Sequence, residues 1–223
     1  MTDGHSQPRP GVSPLTWVGL LIALFGMLIV RQVVLFFAPS MTVGPTICRE
    51  SLHWVCAIAV LFIIKRSERL PLTSVGIGTC PLWRSLLWGL LLAAVCAAVG
   101  LGIAVLTHFG GGKTGESLGR LPLWLVLFIV IRAGVVEEFF YRGYAIERLQ
   151  AIGLNKYAAA AIPLLVFSLG HWGGGWANVV IALALGGVLS ASYLWRRDLV
   201  ANIIGHFIVD FFGVILPRLI HHS

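Results

Sequence analysis

Glu137 and Glu138 stand side by side in the apolar stretch from Val135 to Gly143, and Arg142 follows four residues after the second of them. A charge at the centre of a membrane helix costs roughly 2.5–3.5 kcal/mol on insertion scales, so two acids and an arginine so close together require compensation or a task. Glu138 and Arg142 fall on one helical face, and Glu137 points about 100° away. The expected division is an ion pair between Glu138 and Arg142, with Glu137 free to face a cavity. A carboxylate held away from water takes a proton more readily, the property a general base needs. Two more pairs share the four-residue spacing: Phe167 with His171, and His206 with Asp210. One glutamate, two histidines and an aspartate on three helices are therefore expected to converge at one level. Taken singly, each has an ordinary reading as a helix-packing hydrogen bonder or a neutralised charge. Together they exceed what packing requires.

The elements that must position these residues are membrane helices. Of the 223 residues, 58% are hydrophobic and 11% charged, far below the roughly 25% charged of a soluble domain. The net charge of +7 comes from basic residues scattered at the ends of apolar runs, not clustered on one face, so nucleic acid is not an expected partner. Segments long enough to cross a bilayer occupy 15–38, 45–64, 83–107, 121–143, 157–172, 176–195 and 199–217. The expected fold class is all-α: a polytopic transmembrane helix bundle of about seven helices. Residues 1–119 would supply generic helices and 120–215 the core that carries the chemistry. With the N-terminus inside, ten loop-proximal lysines and arginines collect on one side and four on the other, which places the N-terminus in the cytoplasm. The first apolar run exceeds the 7–15-residue core of a signal peptide and is expected to be retained. Cys48, Cys56, Cys80 and Cys96 lack the spacing of a zinc or redox motif.

Other features are read as structural. The run Gly110-Gly111-Gly112-Lys113-Thr114 lacks the first glycine of a phosphate-binding loop, because Thr107 stands there. Trp172-Gly173-Gly174-Gly175-Trp176 reads as a hairpin turn with interfacial tryptophans, or as a turn that flexes beside His171 to admit a substrate helix. Gly186 and Gly187 suit close helix approach. Arg132 either pairs with an acid on another helix or snorkels outward.

In order and separation, the motifs Glu137-Glu138-x-x-x-Arg142, Phe167-x-x-x-His171 and His206-x-x-x-Asp210 resemble those of the CPBP family, the CAAX-protease and bacteriocin-processing membrane proteins also called CAAX prenyl protease 2-like or Abi proteins. The resemblance spans about 120–215. It implies an intramembrane endopeptidase of the glutamic type, formerly called a metalloprotease, acting on a membrane protein or peptide in a prokaryotic cytoplasmic membrane without a cofactor. By that resemblance Glu137 is the base that deprotonates water, His171 assists it, and His206 and Asp210 steady the oxyanion, while Glu138, Arg142 and Phe167 support the geometry. Many relatives have asparagine where this chain has Asp210. An ionised aspartate cannot donate to an oxyanion, so Asp210 is either protonated or orients His206. Three alternatives stand beside this reading. His171, His206 and a carboxylate could hold a catalytic zinc, although no HExxH helix is present. The bundle could be a non-enzymatic binding or bacteriocin-immunity protein. A proton-relaying transporter is disfavoured by the lack of an inverted repeat.

Overall fold

The computed structural model describes residues 13–40, 42–108, 112–215 and 219, and every regular element among them is helical. In chain order these are α1 (Pro14–Phe37), α2 (Val43–Ser67), α3 (Leu82–Thr107), α4 (Gly112–Gly119), α5 (residues 123–151), α6 (Lys156–Gly170), α7 (Trp176–Arg196) and α8 (Leu199–Ile215). Seven of them coincide with the seven apolar segments to within a few residues, α5 running well past its expected end. The eighth, α4, is a short helix in the connection between α3 and α5. By length and composition α1, α2, α3 and α7 can each cross a membrane. The chain is an integral membrane protein built as an all-α bundle. Gly110, Gly111, Arg9 and Arg218 lie outside the described residues, as does the side chain of Lys113.

Local chemistry sets the helix boundaries. Pro81 and Pro122 precede α3 and α5 in extended conformation, where a missing N–H costs nothing. Asn155 caps α6 by accepting from the amides of Tyr157 and Ala158. Asp198 caps α8 through the Ala201 amide and also accepts from Ser85 Oγ at 2.8 Å, tying α8 to α3. α3 and α8 pack closely where Gly89 and Gly205 face each other. A Cβ on Gly205 would lie 2.9 Å from Leu92 Cβ and 3.2 Å from the Gly89 carbonyl.

α5 runs through the middle of the bundle. From Val136 to Ile146 every residue is buried, so its charges meet protein and not lipid. The stretch Ala133–Ile146 is π-helical, which brings residues five apart, and not only four apart, onto a common face. The end of α5 is clamped by Glu68, which accepts from Thr16 Oγ1, Tyr144 Oη and Arg148 Nε at 2.9 Å each. The connection 68–81 is thereby fastened to α1 and α5. The four cysteines are all free.

Candidate active site

The two adjacent glutamates of α5 have different surroundings. Glu138 is fully buried. Its Oε1 accepts from Arg142 Nη1 at 2.7 Å and from His206 Nδ1 at 2.8 Å, and its Oε2 accepts from Asn202 Nδ2 at 3.1 Å. Arg142, also buried, continues to the Gly186 carbonyl at 3.2 Å and lies 4.6 Å over the ring of Phe167. The expected ion pair between Glu138 and Arg142 is present, and it forms the hub that joins α5, α7 and α8.

Glu137 faces a cavity, as expected, but it is not free. Arg132, five residues earlier on the π-helical register, donates from Nη1 to Glu137 Oε1. The same guanidinium donates from Nε to Glu50 Oε2 on α2 at 2.6 Å. Arg132 therefore pairs with acids on two helices and does not snorkel outward. Among the described residues Glu137 Oε2 has no protein hydrogen-bond partner, and it is left open to the cavity.

His171 sits one residue past the end of α6, opening a 3₁₀ turn, His171–Gly174, and not within the helix as the spacing suggested. Its Nδ1 lies 2.8 Å from the Phe167 carbonyl. A carbonyl only accepts, so Nδ1 carries a proton, and Nε2 is the ring nitrogen turned away from this bond. The Phe167 ring lies 4.6 Å from the His171 ring and 6.4 Å from that of His206, filling the space behind both histidines. His206 presents Nδ1 to Glu138 and Nε2 to Asp210 Oδ2 at 3.5 Å. Asp210 is less enclosed than His206, with a side chain 31% exposed against 10%.

All four residues picked out as catalytic, Glu137, His171, His206 and Asp210, line one cavity of about 410 Å³. A smaller apolar recess of about 120 Å³ between α3, α7 and α8 shares Phe167, His171, His206 and Asp210 with it. The Rce1-like family model, described as type II CAAX prenyl endopeptidase, matches residues 119–212, a span that holds all of α5, α6 and α7 and most of α8. Residues 119–212 are thus similar to an Rce1-like domain. No curated protein and no solved structure matches. The Rce1-like domain is consistent with the CPBP resemblance and indicates a CAAX-type protease whose substrate is a membrane-associated protein.

The cavity of the Rce1-like domain is not closed by that domain alone. Arg31 of α1 and Arg49 and His53 of α2 also line it, and none of them was singled out from the motifs. A signal for the α2 residues was present: Arg49, Glu50 and His53 are ionisable groups inside an apolar span, which by itself marks a site. Among the described residues no three His, Cys, Asp or Glu side chains are grouped to hold a metal. Both ring nitrogens of His206 already face carboxylates.

Proposed function

We propose that this protein is an intramembrane endopeptidase of the glutamic type that hydrolyses a peptide bond of a membrane-associated protein or peptide. The observation that carries the reading is the sorting of the two glutamates. Glu138 is consumed by Arg142, His206 and Asn202, while Glu137 opens one oxygen onto the cavity that His171, His206 and Asp210 also line.

In this reading water binds between Glu137 Oε2 and His171 Nε2. Glu137 takes a proton from the water as its oxygen forms a bond to the scissile carbonyl carbon, and the carbonyl oxygen becomes an oxyanion. Stabilising that oxyanion requires a proton on His206 Nε2, and Asp210 beside that nitrogen is placed to keep one there. The C–N bond then breaks, and the proton held by Glu137 passes to the leaving amine. Asp210 thus serves by orienting His206 and not by donating itself, which accounts for an aspartate at this position. A peptide bond within a helix is shielded by its own hydrogen bonds, so the substrate must present a locally unwound segment to the cavity.

The test compares wild type with Glu137→Gln on a panel of co-expressed membrane proteins, with and without a chelator. Cleavage that is lost in the variant and survives the chelator supports the proposal. Chelator-sensitive cleavage restored by zinc would move the assignment to a metalloprotease. A cellular phenotype unchanged by Glu137→Gln, with no cleavage by either protein, would identify a binding or immunity protein.

A further inference from the structure

We propose that Arg132 and Glu50 are positioning residues for Glu137, acting together as a buried charge string that runs from α2 to the open carboxylate. This inference rests on the peptidase reading above. The string is Arg49, Glu50, Arg132, Glu137. Arg49 donates to Glu50 Oε1 at 2.8 Å, Arg132 Nε donates to Glu50 Oε2 at 2.6 Å, and Arg132 Nη1 donates to Glu137 Oε1. Both central members are enclosed, Glu50 fully and the Arg132 side chain to 8% exposure.

Three features make this more than charge neutralisation. First, Arg132 engages one oxygen of Glu137 only, which fixes the carboxylate plane and turns the other oxygen to the cavity. Second, the guanidinium is shared. A planar fork held by Glu50 at Nε has a fixed direction for Nη1, so Glu50 sets where Glu137 is held without touching it. Third, the acid opposite Glu137 keeps Arg132 from spending its whole charge on the base. Around Glu137 the charged or titratable cavity groups besides Arg132 are Arg31, Arg49, His53, Tyr141, His171, His206 and Asp210. None of these is hydrogen-bonded to Glu137, whereas Arg132 is. The site also becomes dependent on α2, a helix outside the matched residues 119–212.

The test is a double-mutant cycle on the full chain in detergent or vesicles, using Glu50→Gln, Arg132→Lys and the two combined, with Glu137→Gln as reference. Glu50→Gln keeps the side-chain shape and leaves Arg132 paired with Glu137. Arg132→Lys keeps the charge but loses the fork. Each single change is expected to lower kcat on the order of 10²-fold with KM little changed, as a misplaced reacting group does. The double variant is expected to fall no further than the worse single, because Glu50 acts through Arg132. Wild-type kcat in either single variant, or losses that multiply in the double, would overturn the proposal.

A second measurement does not depend on cleavage. Dicyclohexylcarbodiimide modifies protonated carboxyls in apolar surroundings, and its attachment at Glu137 is read by mass spectrometry. Arg132→Gln, in which Glu50 still keeps Arg49, is expected to label faster at Glu137 than wild type. An unchanged labelling rate would overturn the coupling between Arg132 and Glu137. If Glu137→Gln cleaves as well as wild type, the peptidase reading falls, and the labelling result still decides the coupling.

Discussion

His206 meets Glu138 and not Glu137: its Nδ1–H points to the Glu138 oxygen that Arg142 also reaches, at 2.8 and 2.7 Å respectively. The second glutamate of the pair is therefore a structural anchor for a histidine of the site, and the first is the one exposed to whatever enters the cavity. Opposite consequences follow for substitutions at two neighbouring positions.

Glu138→Ala leaves the Arg142 guanidinium buried without its carboxylate and strips His206 and Asn202 of a partner. Removing one member of a buried pair costs about 3–5 kcal/mol. The expected outcome is loss of accumulation in the membrane and a lower thermal midpoint in detergent. Glu137→Ala leaves Arg132 paired with Glu50, so that variant is expected to accumulate like wild type while losing cleavage. Equal accumulation of the two alanine variants would contradict this division.

Gly186 and Gly187 are adjacent, yet only the first is constrained. A Cβ at Gly186 would lie 2.8 Å from Leu164 Cδ1, 2.9 Å from Arg142 Nη2 and 3.1 Å from Phe167 Cε1, while a Cβ at Gly187 meets nothing within 4 Å. Gly186→Ala is expected to destabilise by about 1–3 kcal/mol, as overpacking does, and to reduce cleavage by displacing Arg142. Gly187→Ala serves as the control and is expected to be close to neutral. Thermal unfolding of the two purified variants measures the difference.

Phe167 fills the space beneath both histidines and under Arg142, and it also meets Tyr141 with ring centroids 5.3 Å apart. Phe167→Ala opens a cavity at the centre of the site, at a cost of about 3–5 kcal/mol. Phe167→Leu restores most of the volume but not the aromatic face. It is expected to recover accumulation more fully than cleavage, a split that immunoblotting and product assay on the same membranes would record.

The turn after α6 holds His171 through its backbone. Asn178 Nδ2 donates to the His171 carbonyl at 3.1 Å, and Gly175 stands at φ +92°, ψ 174°, a conformation open to glycine almost alone. Gly175→Ala is expected to cost about 1–3 kcal/mol of local strain and to lower cleavage through His171. An unaltered product yield would show that the position of His171 does not depend on this turn.

The amino-acid sequence by itself determined the all-helical membrane bundle, because apolar runs of bilayer length leave the backbone no other way to satisfy its hydrogen bonds. It also determined the Glu138–Arg142 pair and picked out Glu137, Phe167, His171, His206 and Asp210 among the residues that line the cavity, since polar groups at helical spacing in an apolar run are a local signal. Tertiary structure alone decided the rest. Arg132 reaches Glu137 because α5 is π-helical there, and an α-helical reading places residues five apart on different faces. Glu50 meets Arg132 across 82 positions of chain, a distance no local periodicity spans. The assignment of His206 to Glu138, and the share that α1 and α2 have in the cavity walls, depend on how separate helices pack. No helix carries that information alone.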